Sequence, residues 1–338
     1  METKRLYLIK DREKSIETAA DILRNGGIVA IPTETVYGLA ASALDDSAIK
    51  AVFSAKGRPQ DNPLIVHIDS IEMLKKVAQN IPEKAYLCAQ RFWPGPLTLV
   101  LESSGYVGKK VSAGLSTVAV RMPLDKTARD IITAAGIPLA APSANISGSP
   151  SPTSAEHVIN DLDGKIDAVV MGEECTVGVE STVVAVSHTG ARLLRPGAVT
   201  AEMLREIFPE LIIDKAIFSE PQSGEKVASP GMKYKHYAPS TELFLVEGDS
   251  ENYCEFVNKN GGAAVCFKEE AEKIKGEVFI CGGENDSDSM AHSLFSVLRE
   301  LDRKNITKAY VHAPSKNGVG LAVYNRLIRA CAFKVVKL

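Results

Sequence analysis

The chain has 338 residues, a net charge of −3, 45% apolar residues and 24% charged residues. This length exceeds what one hydrophobic core usually needs, so we expect two domains, and the composition is ordinary for a soluble globular protein. The negative balance argues against a protein whose whole surface binds nucleic acid, although it leaves room for a local basic patch.

Helical and strand patterns alternate through the first two thirds of the chain. Apolar residues with helical spacing predict helices at residues 15–25, 47–55, 70–78, 82–92, 125–135 and 201–208. Short apolar runs predict strands at residues 27–32, 64–68, 97–101, 118–122, 138–141, 167–170, 182–186 and 192–194. This alternation is typical of α/β proteins.

The pattern lapses between residues 218 and 240, where the sequence is polar and rich in lysine, tyrosine, proline and glycine. Alternation then returns, with predicted strands at 243–247, 263–267, 278–281, 309–312 and 333–336 and helices at 250–259, 269–274, 289–302 and 320–332. Regular βα units predict a parallel sheet between helix layers. We therefore predict a first domain at residues 1–215, a linker or lid at 216–240 and a second domain at 241–338.

Six cysteines are scattered along the chain, and we expect them to be small buried apolar residues: Cys88, Cys175, Cys254, Cys266, Cys281 and Cys331. None forms a C-x-x-C pair, and no His/Cys cluster has zinc-ligand spacing, so we expect no metal bound directly by protein side chains. The N-terminal residues contain no apolar signal core, and no apolar run approaches the roughly 20 residues of a membrane span. The sequence predicts a cytoplasmic protein with no membrane segment.

Standard signatures of phosphate binding and hydrolysis do not occur in the sequence. There is no G-x-x-x-x-G-K-[ST] loop, no complete G-x-G-x-x-G after a strand, no G-x-S-x-G elbow and no H-E-x-x-H helix. Any nucleotide must therefore be bound by residues outside these standard motifs.

Polar residues follow the first buried strand. Thr33, Glu34 and Thr35 stand where that strand is predicted to end, and ligands collect at strand ends in open α/β sheets. The hydroxyls of Thr33 and Tyr37 are candidates for binding a small polar ligand. The alternative is that Thr33 or Thr35 caps a helix.

Two cations stand one residue apart in the next polar segment, residues 54–64. Lys56 and Arg58 suit a polyphosphate, with lysine as a point charge and arginine as a planar fork. The alternative is that both meet the dipole of a helix C-terminus. His67 lies just beyond, and a lone histidine in a strand is more often structural than catalytic.

Arg121 falls at the end of an otherwise apolar strand. A buried arginine needs an anionic partner, which here is either a substrate carboxylate or an internal glutamate. The small and hydroxylated residues 140–153 suit a nest for phosphate or ribose, or else form a Ser/Pro-rich loop capped at Thr153. Ser181 stands at a later strand start and Arg195 at a strand end.

Taken in order, these segments resemble the YrdC family. The matching runs cover roughly residues 10–210 and read PTETVYGL, KGRPQDNPLIVH, TVAVRMP, PSANISGSPSPT, ESTVV and LRPG. The run SPGMKYKHYAP and the βα tail are similar to the long, two-domain form of the family, the L-threonylcarbamoyladenylate synthases.

The resemblance implies a twisted open mixed α/β sheet followed by a smaller Rossmann-like domain of three α/β/α layers. It implies a nucleotidyltransferase that joins L-threonine, bicarbonate and ATP into threonylcarbamoyl adenylate and releases pyrophosphate. Mg²⁺ would ride on the ATP phosphates. The product would pass to a downstream transferase that modifies an adenosine of tRNA.

Carried onto this chain, the resemblance makes Lys56 and Arg58 the catalytic pair that clamps the triphosphate. It assigns further ATP contacts to Thr117, Ser143, Asn145, Ser151, Arg195 and Tyr237, the last as a lid over the nucleotide. It assigns threonine binding to Thr33, Tyr37, His67, Arg121, the Ala141 backbone and Ser181. No carboxylate stands out as a general base, so positioning and charge neutralisation would supply most of the rate.

Two other functions were weighed. Carbamoyl transfer, as in hydrogenase maturation factors with a YrdC-like domain, is disfavoured because those proteins add zinc-finger modules and this chain has no C-x-x-C pair. A double-stranded RNA-binding protein is compatible with the Lys/Arg cluster, which attracts phosphate. The negative net charge argues against RNA as the main partner.

Overall fold

The computed structural model describes residues 2–219 and 236–338, so most of the predicted linker, residues 220–235, lies outside the described residues. The first part contains these elements in chain order: β1 (Lys4–Tyr7), α1 (Arg12–Arg24), β2 (Val29–Ile31), β3 (Gly38–Ser42), α2 (Asp46–Lys56), β4 (Ile65–His67), α3 (Ile71–Val77), α4 (Glu83–Phe92), β5 (Leu97–Glu102), β6 (Thr117–Arg121), α5 (Lys126–Ala135), β7 (Leu139–Ala140), α6 (Ala155–Leu162), β8 (Ala168–Met171), β9 (Thr182–Ser187), β10 (Gly190–Arg195), α7 (Ala201–Arg205) and β11 (Ile212–Ile213).

One sheet of eleven strands organises this part, in the order β1-β8-β2-β3-β7-β4-β6-β5-β9-β10-β11. Its pairings are mixed: β4 and β6 are parallel, whereas β2 and β3, β4 and β7, and β5 and β6 are antiparallel. The predicted mixed α/β sheet is confirmed. Its apolar core includes α1, whose residues Ile16, Ala19 and Leu23 recur at helical spacing and are buried.

The second part contains β12 (Glu242–Glu247), α8 (Ser250–Asn260), β13 (Ala263–Cys266), β14 (Val278–Ile280), α9 (Ser287–Arg303), β15 (Lys308–His312), α10 (Gly320–Ala330) and β16 (Val335–Lys337). All five strands are parallel, in the order β14-β13-β15-β12-β16. Separate apolar clusters include α9 and α10 in one case and α8 in the other, as expected for a parallel sheet buried between helices. The predicted helix at 269–274 is a 3₁₀ helix, Lys268–Lys273.

The two parts are in direct contact through α9 and α10. Arg299 of α9 forms a two-pronged ion pair with Asp161 of α6, at 2.9 and 2.8 Å. Gly178 lies so close to α9 that an added Cβ would come within 2.4 Å of the Ala291 carbonyl oxygen. The backbone of the first part therefore fits tightly against the second.

All six cysteines are free and buried, as the sequence predicted. Across the described residues, we find no helix with both the length and the apolar content that crossing a bilayer requires.

Candidate functional site

Several of the sequence-predicted site residues meet at one cavity with about 610 Å³ of empty space, part of it open to solvent. Nine of them line it: Thr33, Arg58, His67, Arg121, Ala141, Ser143, Ser181, Arg195 and Tyr237. Because β4 and β6 run parallel, with His67 paired to Arg121, their carboxyl ends present both side chains at the same edge of the sheet. Polar groups that the sequence singled out are thus found together at strand ends.

Arg121 is buried and ion-paired with Glu34, the distance from Nη2 to Oε1 being 2.7 Å. Its Nη1 donates to the Thr35 hydroxyl at 2.8 Å, and its Nε to the Gly95 carbonyl at 3.3 Å. Burial alone would raise the pKa of Glu34, but the Arg121 guanidinium outweighs burial and lowers that pKa. Of the two partners weighed from sequence, the internal glutamate is therefore present.

The pairing with Glu34 still leaves Arg121 donors for a ligand. A guanidinium has five N–H donors, and the contacts with Glu34, Thr35 and Gly95 use one each on Nη2, Nη1 and Nε. Further N–H groups therefore remain on the terminal nitrogens, and paired N–H groups of a guanidinium can bind a carboxylate in bidentate fashion. Arg121 lines the cavity, so it can hold an anion there without giving up its glutamate.

Thr33 and Thr35 shape the turn between β2 and β3. The Thr33 hydroxyl donates to the Val36 carbonyl at 2.6 Å and lies 2.9 Å from the Thr35 hydroxyl. A strand, β3, follows at Gly38, so the alternative in which a threonine caps a helix here is wrong. Thr33 therefore holds the turn that brings Thr35 to Arg121.

Tyr37 does not line this cavity. Its hydroxyl donates to the Glu173 carbonyl at 3.1 Å, and burial raises the pKa of the phenol. The structure uses Tyr37 to tie the turn to the segment after β8, and it does not bring the hydroxyl to the place expected for a ligand contact.

Lys56 is buried and serves the loop between β7 and α6 instead of lining the cavity. Its ammonium donates to the carbonyls of Ser143 and Asn145, at 2.5 and 2.6 Å. Burial, and then the nearby Arg58, lower the pKa of Lys56 well below its ordinary value. Gly57, with φ of +60°, ends α2 and turns the chain, so Lys56 points into this loop while Arg58 lines the cavity.

The same loop holds two more predicted residues away from the cavity wall. The Asn145 amide donates to the carbonyls of Ile146 and Ser149, at 2.7 and 2.9 Å. Ser151 is fully buried and donates to Glu180 at 2.5 Å. Both side chains therefore fix the shape of the loop whose Ser143 faces the cavity.

Ser181 and Arg195 form a second polar corner. Arg195 donates to the Ser181 carbonyl at 3.0 Å and to its hydroxyl at 3.2 Å, and that hydroxyl lies 2.7 Å from the hydroxyl of Thr98. Glu180 lines the cavity beside them. Burial alone would raise the pKa of Glu180, but Arg326 and Arg195 outweigh it and lower that pKa.

His67 is neutral, because burial, and then Arg121, lower its pKa to about 3. Its Nδ1 lies 3.3 Å from the Ile65 carbonyl. Since a carbonyl can only accept, Nδ1 carries the proton and Nε2 is left as an acceptor. His67 is therefore suited to receive a hydrogen bond in the cavity, and it is unsuited to act as a cation.

Thr117 lies on the same sheet face as Arg121 but outside the cavity. Residues at i, i+2 and i+4 of a strand share a face, so Thr117 and Ala119 line up behind Arg121, with Thr117 roughly 13 Å away along β6. Thr117 lines a separate groove between β5, β6 and β9. Between the two regions the sheet face is apolar: Ile65, Val100, Ala119, Val183 and Leu194.

The end of the predicted lid reaches the cavity. Tyr237 and His236 both line it, and the Ala238 amide donates to the Gly148 carbonyl at 2.9 Å. Burial, and then Arg58, lower the pKa of His236 to about 3. The rest of the lid lies outside the described residues.

Five residues of this arrangement were not assigned to the site from the sequence: Glu34, Thr35, Glu180, His236 and Arg326. Glu34 and Glu180 each stand in a motif that the sequence singled out. Both are next to buried strands, where a carboxylate needs a cationic partner, and this was the signal that could have identified them. Arg326 carries a weaker signal, a charge inside an otherwise apolar helix.

Two family models match adjacent parts of the chain, between residues 21 and 332. The Sua5/YciO/YrdC model, described as telomere recombination, matches residues 21–197, and the model described as the threonylcarbamoyl-AMP synthase C-terminal domain matches residues 199–332. The threonylcarbamoyl-AMP synthase of Pyrococcus abyssi is 44% identical, over 96% of each chain, and that of Bacillus subtilis 40%, over 100% of each. The crystal structure of P. abyssi Sua5 complexed with L-threonine superposes with a TM-score of 0.88 at 41% identity, covering 100% of both chains.

Proposed function

The chain belongs to the two-domain Sua5 family of threonylcarbamoyl-AMP synthases, and we propose that it condenses L-threonine, bicarbonate and ATP into threonylcarbamoyl adenylate and pyrophosphate. The observation that carries this proposal is the buried Arg121, which lines the cavity together with two further cations, Arg58 and Arg195. Such a site accepts a carboxylate and a phosphate side by side.

Threonine is proposed to bind with its carboxylate on the Arg121 fork. The relative from P. abyssi was crystallised with L-threonine, which supports a threonine site in this family. Neutral His67 offers Nε2 as an acceptor for the threonine amine or hydroxyl, and the Ser181 hydroxyl lines the same cavity. The amine must be unprotonated to react, and a neutral imidazole beside it does not add a competing positive charge.

ATP is proposed to lie along the sheet face from the cavity towards Thr117. The apolar floor of Ile65, Val100 and Ala119 suits the flat face of an adenine. Arg58 and Arg195 would meet the phosphates directly, whereas Lys56 would act by holding the loop that presents Ser143. In this arrangement ATP would span the roughly 13 Å of β6 between Arg121 and Thr117, a distance estimated from the strand rise.

The chemistry then needs little covalent help from the protein. The threonine nitrogen bonds to the carbon of bicarbonate, water leaves, and the resulting carbamate oxygen bonds to the α-phosphorus as pyrophosphate departs. Fixed guanidinium groups stabilise the charge that develops on the phosphates. Because the carbamate is labile in water, Tyr237 and the lid would serve to exclude solvent.

Magnesium is proposed to enter with ATP. Within residues 2–219 and 236–338 no group of three His, Cys, Asp or Glu side chains could hold a metal ion, so phosphate oxygens would be its main ligands. The adenylate is proposed to pass to a downstream tRNA-modifying transferase, and both proteins are proposed to act in the cytoplasm.

No observation favours the double-stranded RNA-binding alternative. Lys56, Arg121 and Arg195 are all less than a tenth exposed, whereas binding to a duplex backbone needs cations displayed on the surface.

The test is pyrophosphate release by the full chain with ATP and magnesium and no RNA. We expect release that requires both L-threonine and bicarbonate, with threonylcarbamoyl adenylate identified by mass spectrometry. A protein that releases no pyrophosphate under these conditions but retains double-stranded RNA on a filter would refute the proposal.

A further inference from the structure

One arginine of the second domain reaches into the wall of the candidate site. Arg326 lies in α10 and is fully buried. Its Nε donates to the Glu180 carboxylate at 2.8 Å, its Nη2 to the Glu180 carbonyl at 3.1 Å and its Nη1 to the Pro196 carbonyl at 2.8 Å. A single side chain of the second domain thus joins two segments of the first.

The groups that Arg326 holds are direct chain neighbours of cavity residues. Glu180 precedes Ser181, and Pro196 follows Arg195. Ser181 and Arg195 are themselves joined, because Arg195 Nε donates to the Ser181 carbonyl at 3.0 Å. Arg326 therefore sets the spacing of the corner in which Ser181 and Arg195 face the cavity.

Glu180 extends this connection to the loop between β7 and α6. One carboxylate oxygen accepts from Arg326, and the other accepts from the Ser151 hydroxyl at 2.5 Å. Ser151 is fully buried within the loop that presents Ser143 to the cavity. A chain of hydrogen bonds thus runs from Arg326 of α10 through Glu180 to Ser151 in that loop.

Adhesion between the domains does not by itself require this charge. The partly exposed Arg299–Asp161 pair already links α9 to α6, and a buried ion pair seldom stabilises more than well-packed apolar residues would. Glu180 also faces the cavity. A buried arginine that ties three acceptors on two cavity-lining segments is better explained by the geometry that it imposes there.

We propose that Arg326 is a positioning residue for adenylate formation, so that the second domain completes the active site of the first. Arg326 acts through Glu180, which aligns Ser151, Ser181 and Arg195. This inference rests on the proposed function, because it assigns part of that reaction's geometry to α10.

Arg326→Lys is the informative variant, because lysine keeps the charge but a single ammonium cannot reach all three acceptors with fixed geometry. We expect kcat/KM for ATP to fall about 10- to 100-fold, mostly in kcat, as expected for the loss of a charge-assisted hydrogen bond. The Kd for threonine, measured by calorimetry, should change by a smaller factor than kcat, since the Ser181 contact depends on Arg326 but the Arg121 contacts do not.

The matched control is Asp161→Asn, which weakens the other interdomain ion pair and whose side chain does not line the cavity. It should lower the melting temperature, as Arg326→Lys does, yet keep kcat close to that of the wild type. Equal losses of kcat in the two variants would mean that Arg326 only holds the two domains together, and this would overturn the proposal.

Glu180→Gln and the double variant Arg326→Lys/Glu180→Gln test the route. Because both residues act in one chain of contacts, the double variant should lose little more activity than the worse single variant. Multiplied losses, or a fully active Arg326→Lys, would overturn the proposal. If Arg326→Lys does not fold, Glu180→Gln carries the test alone against the Asp161→Asn control. A wild type without pyrophosphate release would instead refute the proposed function.

Discussion

Replacing Arg121 with leucine separates the threonine site from the nucleotide site. The variant removes both donors of the fork that we assign to the threonine carboxylate, each a charge-assisted hydrogen bond of about 1.5–3 kcal/mol. The expected loss of threonine affinity is therefore about 3–6 kcal/mol, or roughly 10²- to 10⁴-fold in Kd. The Kd for ATP should change far less, because its proposed contacts are with Arg58, Arg195 and the 142–153 loop.

The same substitution leaves Glu34 without its ion-pair partner. The Glu34 side chain is 3% exposed, and among the described cations it is ion-paired only with Arg121. An unpaired buried carboxylate costs about 3–5 kcal/mol of folding free energy, so Arg121→Leu should be markedly less stable. The double variant Arg121→Leu/Glu34→Gln removes that charge and should recover most of the stability. It should not recover threonine binding, which distinguishes a lost contact from a damaged fold.

Calorimetry with threonine and with ATP, on each variant that remains folded by circular dichroism, checks this reasoning. Equal losses for the two ligands would contradict the assignment of Arg121. So would a double variant that binds threonine as tightly as the wild type.

Arg58→Ala should abolish pyrophosphate release while leaving the melting temperature nearly unchanged, and a fully active variant would refute a phosphate role. Lys56→Met should instead lower both, because it leaves two carbonyls unpaired at about 1–3 kcal/mol each; a stable but inactive variant would argue for a direct phosphate contact. In the second domain, His312 donates from its two nitrogens to Glu270 and to the Gly248 carbonyl, at 2.6 and 3.0 Å. Burial alone would lower the pKa of His312, but the hydrogen bond to Glu270 outweighs it and raises that pKa. The charged pair thus stabilises fully below the unfolded pKa and less as pH rises through the folded one. From about pH 6 to about pH 9, urea denaturation should show a larger fall in stability for the wild type than for His312→Asn/Glu270→Gln, and parallel curves would contradict this.

The order of the motifs made half of the residues that line the cavity predictable. Polar residues at the ends of apolar strands, such as Arg121 and Ser181, find polar partners where strand ends meet, so local pattern and position in the sheet agree. The antiparallel strand β3 escaped prediction because Gly38–Ser42, apart from Leu39, consists of small residues and lacks the β-branched side chains typical of strands.

The partners of the site residues were not predictable, because they depend on contacts between distant parts of the chain. Nothing near Lys56 in sequence shows that its ammonium ends on carbonyls 87 and 89 residues away. The same holds for Arg326, whose main partner, Glu180, lies 146 residues away in the other domain. A sequence motif identifies which residues gather at a site, but tertiary contacts decide which of them line the cavity and which support the segments that form its wall.

A crystal structure of the full chain with L-threonine and a non-hydrolysable ATP analogue tests the central claim most directly. We expect the threonine carboxylate at hydrogen-bonding distance from Nη1 and Nη2 of Arg121, with Glu34 still paired behind it. The triphosphate should lie between Arg58 and Arg195, and the adenosine should extend along the sheet face towards Thr117. Both ligands bound elsewhere, with these guanidinium groups contacting only protein, would contradict the account.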